Sequence, residues 1–168
     1  ERDALREYTG STYAQINRLL RKGSSGSYGD PQYIKSLIKE MDSYFNKSRL
    51  TEDVKIHRSF SVDATNPWAN PKIGDVLTDK GFQSFTVRDG GLGGWGNTSD
   101  CSRSYVRIVA VAMKGSKAAW VQPISLHSSE EEMLIPRDAQ FLVTDVKETK
   151  NHTPGCGSRW TIYGEFRP

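Results

Sequence analysis

Cysteine and histidine are scarce in this chain of 168 residues. The two cysteines, Cys101 and Cys156, match no metal-binding spacing and are too few for a disulfide scaffold. One bridge and two free thiols are both open. The three histidines, His57, His127 and His152, are scattered, so a zinc site is not expected. No apolar run approaches the roughly 20 residues that cross a bilayer as a helix, and no membrane partner is expected. Neither sign of charge prevails: 23 basic residues face 20 acidic ones, a formal charge of +3. Such a balance permits an anionic ligand without demanding nucleic acid. Signal peptide and initiator Met are both missing. A chain that starts at Glu1 reads as a mature protein or an excised domain of a longer one. What remains, 36% hydrophobic and 26% charged residues, is the composition of a soluble protein, and the length suits one domain over 1–168 with a sizeable core.

Periodicity divides the chain. Residues 9–22, TGSTYAQINRLLRK, read as a helix capped by Thr9 or Ser11, with Tyr13, Ile16, Leu19 and Leu20 on one face. After the loop KGSSGSYGD, Asp30 and Pro31 open a second helix, and Ile34, Leu37, Ile38, Met41 and Phe45 form its apolar stripe. From residue 54 the period becomes alternating. VKIHRSF, GFQSFTV, YVRIVAVAM, EEMLI, FLVTDV and RWTIYGEF read as strands separated by loops of Gly, Asn, Asp and Pro. Helices first and strands afterwards imply an α+β fold with helices packed on antiparallel-rich sheets.

One motif is a decoy. Residues 91–96, GLGGWG, fit the GxGxxG pattern of dinucleotide-binding folds. That pattern works only between a strand and a helix whose N-terminus binds pyrophosphate. Here NTSDCSRS and a strand follow, so the stretch reads as a Gly-rich loop. Trp95 within it is a large aromatic suited to a movable lid over a ligand.

Three stretches could carry chemistry. In VKIHRSF, alternation sets Val54, Ile56 and Arg58 on one inward face. A guanidinium there needs a partner: either a carboxylate in a structural ion pair, or phosphate or carboxylate oxygens of a ligand. In GFQSFTV, the hydroxyls of Ser84 and Thr86 share a face that also carries Phe82. In HSSEEEMLIPR, Ser128 and Ser129 each stand three residues before a glutamate, the spacing of a capping box, but Pro136 and MLI argue for a strand. If residues 130–135 are extended, Glu130 and Glu132 point one way and Glu131 the other. The bland alternatives are a polar strand face and a solvated charge run.

In this order, KIHRSF, GFQSFT and EEEMLIPRDAQFLV resemble the arginine strand, the Ser-Thr-Ser segment and the glutamate strand of the Arg–Ser–Glu class of mono-ADP-ribosyltransferases, the group of bacterial binary toxins and related exoenzymes. The opening YTGSTYAQINRLLR is similar to the helix that begins those catalytic domains, and the likeness runs from Tyr8 to about Val146. One departure is that Phe85 replaces the middle threonine, with Thr86 in the third place; alternation turns Phe85 away from the hydroxyl face.

The resemblance implies the ADP-ribosyltransferase fold, two sheets with a cleft for NAD+ between them. NAD+ would be a substrate, and no metal is implied. Glu132 would stabilise the ribose cation as nicotinamide leaves, Ser84 would hold Glu132, and Arg58 would pair with the NAD+ phosphates. Glu130 would select and orient an acceptor arginine, since glutamate at that place goes with arginine modification. Glu131 would be a bystander. Tyr8, Tyr13, Asn17 and Trp95 would line the NAD+ site. His127 to Glu131 would form the turn that meets the acceptor, and His57 would be a spectator. The implied partners are a target protein with an acceptor arginine and, for a delivered toxin or effector, an inhibitory immunity protein. The place of action would be the cytoplasm of a target cell after secretion or injection. NAD glycohydrolase activity, a catalytically dead NAD-binding module and modification of nucleic acid are the competing readings. The intact Arg58, Ser84, Glu130 and Glu132 set counts against the second. The lack of a basic-aromatic cluster counts against the third.

Overall fold

The computed structural model describes residues 1–168 except 25, 27, 28, 64, 91–100 and 150–157. Helices α1 (Arg2–Glu7), α2 (Tyr13–Lys22) and α3 (Pro31–Lys47) come first. Eight strands follow: β1 (Val54–Asp63), β2 (Val76–Leu77), β3 (Gln83–Thr86), β4 (Arg103–Ala112), β5 (Ala119–Trp120), β6 (Glu132–Ile135), β7 (Phe141–Thr149) and β8 (Arg159–Phe166). No helix among the described residues is long and apolar enough to cross a membrane. Cys101 is disulfide-bonded, and Cys156 lies outside the described residues.

Helix α3 forms as its sequence predicts. The Asp30 side chain accepts the Gln32 N–H at 2.9 Å, Pro31 opens the first turn, and Ile34, Leu37, Met41 and Phe45 are buried. The first helix departs from expectation. Helicity begins at Arg2, and a widened π-type turn over Tyr8–Thr12 joins α1 to α2, with Gly10 outside helical dihedrals (φ −93°, ψ −140°). Neither Thr9 nor Ser11 caps α2. The Thr9 hydroxyl instead donates to the Arg6 carbonyl at 2.7 Å and accepts the Leu126 N–H at 3.0 Å, tying the helices to the connection between β5 and β6. Tyr13 does not join the buried stripe with Ile16. It opens α2 with 49% of its surface exposed, edge-on to Tyr8 at 6.3 Å. Gly23 closes α2 in the left-handed conformation (φ 74°), its N–H bonded to the Leu19 carbonyl.

The strands hydrogen-bond in the order β2-β7-β8-β4-β1-β3-β6-β5. All described pairs are antiparallel except β4 with β8. The α+β, antiparallel-rich reading therefore holds. Strands β2 and β5, two residues each, are too short to leave a periodic signature. β1 runs against β4 along its whole length, from Val54↔Ala112 to Asp63↔Arg103, but meets β3 only at His57↔Thr86. The ladder is thus two blocks joined at a single register point. Two apolar cores pack against the sheet. Ile56, Val106, Ile108, Phe141 and Phe166 belong to the larger; Leu5, Tyr8, Ile16, Phe45, Phe82 and Leu134 belong to the one beneath the helices. Alternation along β3 and β6 feeds both, with Phe85 and Met133 turned to the first and Leu134 to the second.

Candidate active site

A cavity of about 770 Å³ opens where β1 and β3 meet, under the start of α2. Tyr8, Tyr13, Asn17, Arg58, Ser84, Glu130 and Glu132, distant in sequence, all line it. Trp95, with the rest of 91–100, lies outside the described residues.

Arg58 continues the row of Ile56 and Val62, both in the larger core. Its guanidinium carbon lies 5.2 Å from the Phe60 ring centre and 5.9 Å from that of Phe85, so two aromatic faces support the cation. Among the described residues no carboxylate forms an ion pair with it, and its Nη1 is buried without a hydrogen-bond partner. The structural ion pair is therefore not the arrangement found. Burial pulls the guanidinium pKa down, and nearby Tyr8 and Asp79 oppose this; an arginine stays charged regardless. A desolvated fork with an unused N–H edge suits a phosphate or carboxylate.

Strands β3 and β6 set the hydroxyl and the acid together. Ser84 stands opposite Leu134 and Thr86 opposite Glu132, so Ser84 and Glu132 are diagonal neighbours on one face. Glu132 is only 5% exposed. Burial raises its pKa above the ordinary carboxylate range, the Ser84 hydroxyl pulls it back, the negative charge of Glu130 raises it again, and His127 and the Ser125 hydroxyl oppose. Phe85 turns into the larger core, edge-on to Phe166 at 5.6 Å. The bulky middle residue therefore leaves the hydroxyl face intact.

Tyr8 and Asn17 are on the wall of the cavity, and much of their polarity is spent within it. The Tyr8 hydroxyl donates to the Phe82 carbonyl and accepts from Asn17 Nδ2, both at 2.9 Å, and Asn17 Nδ2 also donates to Phe82 at 3.1 Å. These bonds fix the helical segment to the approach of β3. Burial pushes the Tyr8 phenol up to about 12, so it stays protonated. Burial of His57, at the β1–β3 junction, lowers its pKa, Lys55 and Arg107 lower it further and Asp89 opposes; neither ring nitrogen has a partner among the described residues.

The glutamate run is not extended over the whole of 130–135, and the turn that the resemblance implies over His127–Glu131 is present. Ser128–Glu130 form one 3-10 turn without a side-chain cap, Glu131 is left-handed (φ 49°, ψ 53°), and β6 begins at Glu132. A left-handed non-glycine residue costs roughly 1–2 kcal/mol, and contacts from the end of β3 hold it. Thr86 Oγ1 donates to the Glu130 carbonyl at 2.6 Å, the Val87 N–H to Glu131 at 3.1 Å, and Arg88 to the Ser129 carbonyl at 2.7 Å. Glu130 and Glu132 still face one cavity, but through a tight turn and not through strand alternation. Glu131 pairs with Arg88 at 3.8 Å.

The sequence reading missed three cations. Arg18, Arg21 and Lys22 line the cavity from the polar side of α2, at helical spacing opposite Ile16, Leu19 and Leu20. Their pattern is that of an ordinary solvated face; all three remain exposed, and only the tertiary fold sets them along the cavity. Arg21 is held by Asp79 through two bonds of 2.7 Å. Among the described residues no group of three His, Cys, Asp or Glu side chains is disposed to hold a metal.

Comparison with known proteins finds relatives of this chain. The profile of a family described as ADP-ribosyltransferase exoenzyme matches residues 1–156. Mono-ADP-ribosyltransferase C3 of Clostridium botulinum D phage is 27% identical over 160 residues, 88% of this chain and 63% of that protein. NAD(+)–arginine ADP-ribosyltransferase EFV of Enterococcus faecalis is 23% identical over 141 residues, 84% of this chain and 28% of that protein. The chain thus spans less than two thirds of either relative's length. Exoenzyme S of Pseudomonas aeruginosa, solved with human 14-3-3 protein beta and carba-NAD, superimposes with a TM-score of 0.70 at 20% identity, over 95% of this chain and 70% of that one.

Proposed function

The chain belongs to the ADP-ribosyltransferase exoenzyme family, and from that membership and the shape of the cleft we propose that it cleaves NAD+ and transfers ADP-ribose to an arginine of a target protein. The observation that carries this reading is the convergence of Arg58, Ser84, Glu130 and Glu132 on one cavity of about 770 Å³. The buried, unpartnered Nη1 of Arg58 fits the pyrophosphate of a dinucleotide, and Arg18 and Lys22 add positive potential to the same wall. A relative named as an NAD(+)–arginine ADP-ribosyltransferase supports the acceptor class, and a structural neighbour bound to carba-NAD supports the substrate.

The chemistry follows from charge. Breaking the bond between nicotinamide and ribose sends both electrons with nicotinamide, which departs neutral and leaves an electron-poor, oxocarbenium-like ribose carbon. A fixed carboxylate in a desolvated site stabilises that cation more than the ground state. Glu132 has that setting, with Ser84 orienting it. The acceptor guanidinium is cationic and a poor nucleophile. Glu130 orients it and accepts its proton as a guanidine nitrogen bonds to the ribose carbon. In whole-protein terms the reading is of a toxin or effector, secreted or injected, that acts in the cytoplasm of a target cell. Incubation with labelled NAD+ and a cell extract, followed by mass spectrometry of modified peptides, tests it. ADP-ribose on arginine is expected. Nicotinamide release with no labelled protein would make the chain a glycohydrolase.

Arg58→Lys keeps a positive charge and loses the planar fork, so KM for NAD+ should rise about tenfold or more in steady-state assays. An unchanged KM would remove Arg58 from the dinucleotide site. The pH profile carries a second expectation. Glu132 acts ionised, and burial raises its pKa. The rate of nicotinamide release should therefore fall as pH drops through a value above the ordinary carboxylate range, and level off on the alkaline side. An acid limb at or below about 4.3, the value for a free glutamate, would contradict the buried setting.

A further inference from the structure

We propose that Arg88 is a positioning residue: it clamps the turn that carries Glu130 and so governs use of the acceptor without taking part in NAD+ cleavage. Its acceptor role rests on the reading just given. Arg88 follows β3 by two residues, at the start of the Gly-rich loop, and it does not line the cavity. Its guanidinium reaches back to the turn twice, donating to the Ser129 carbonyl at 2.7 Å and pairing with the Glu131 carboxylate at 3.8 Å. Its own N–H donates to Thr86 Oγ1 at 3.1 Å, and that hydroxyl donates to the Glu130 carbonyl at 2.6 Å. Val87 N–H closes the set on the Glu131 carbonyl at 3.1 Å.

Three consecutive residues of one segment thus grip the three carbonyls of Ser129, Glu130 and Glu131. Glu130 sits in the middle of that grip, the last residue of the 3-10 turn and next to left-handed Glu131. Without the grip the turn has no other described tertiary hydrogen bond to hold Glu131 left-handed, and the Glu130 carboxylate would lose its fixed direction toward the cavity. Glu132 lies beyond the grip. It is anchored in β6 by pairing with Thr86, and its backbone carbonyl accepts the Val121 N–H at 3.1 Å. The clamp therefore acts on one carboxylate and spares the other. Glu131, a bystander by its direction, acquires a purpose as the counter-charge to Arg88.

Two measurements on Arg88→Ala test this. The first is amide hydrogen exchange of residues 127–131, which reads the clamp whatever the acceptor is. Exchange should quicken about tenfold while the thermal midpoint stays within about 2 °C of the parent. The second compares transfer to a small alkylguanidine with NAD+ hydrolysis. Transfer kcat/KM should fall about tenfold with hydrolysis within about twofold, and Arg88→Lys should recover part of the loss. Unchanged exchange overturns the clamp. Quickened exchange with equal losses of transfer and hydrolysis overturns its selectivity for the acceptor. If the parent protein transfers nothing to guanidines but exchange quickens as expected, the clamp stands and the arginine reading fails.

Discussion

Glu132→Gln should reduce both ADP-ribosyl transfer and NAD+ hydrolysis by about a thousandfold, the scale of losing one preorganised electrostatic group at a developing charge. Glutamine keeps the shape of the side chain and removes its charge, so a packing defect does not explain such a loss. Stability supplies the control, and its sign is defined. The folded-state pKa of Glu132 is raised, chiefly by burial. A carboxyl of that kind is neutral in both states below about pH 4 and contributes its full stability there. As pH rises through the raised folded value, the folded protein bears the cost of a buried charge that the unfolded chain avoids. At neutral pH the glutamine variant should therefore melt no lower than the parent. Calorimetry beside a nicotinamide-release assay checks both halves. An inactive variant with an equal or higher melting temperature is the expected result. Residual cleavage within tenfold of the parent would remove Glu132 from the reaction.

Glu130→Gln should separate the two activities. Transfer to arginine should fall about a hundredfold, as expected when a positioned proton acceptor is removed, while NAD+ hydrolysis stays within severalfold. Glu130 does not touch the nicotinamide–ribose bond in this scheme; it prepares the acceptor. A second effect follows from charge. The negative charge of Glu130 helps hold the Glu132 pKa up. Removing it should move the acid limb of the hydrolysis profile to lower pH. A variant with full transfer activity would overturn the acceptor assignment. One with hydrolysis lost as completely as transfer would show that the two carboxylates act as a unit.

The legible parts of this protein are those in which neighbours in sequence are also neighbours in the physics. Asp30 and Pro31 announce α3 because capping is a local hydrogen bond and a local dihedral. The strands carrying Arg58 and Ser84 could be read because alternation is a property of the strand itself. Alternation alone reads residues 130–135 as extended, and only the resemblance implies the turn over His127–Glu131 that the structure contains. The turn's conformation is imposed by bonds from Thr86, Val87 and Arg88, more than forty residues away in sequence, and no window of sequence contains that information. The pair of acids facing the cavity was expected for the wrong geometric reason. The start of α2 differs from the sequence expectation because helicity already runs from Arg2 through the π-type turn, so no free helix end falls at Thr9.

By itself the sequence determined the order of helices and strands, the inward row that carries Arg58, and the identity of the acids. Each of these follows from side-chain chemistry and backbone period within a few residues. Only the tertiary structure decided that β1 and β3 meet at the single pair His57↔Thr86, that the cations of α2 line the cavity, and that the turn carrying Glu130 is held by bonds from Thr86, Val87 and Arg88. Those outcomes depend on which distant surfaces bury each other, and burial is a property of the folded whole.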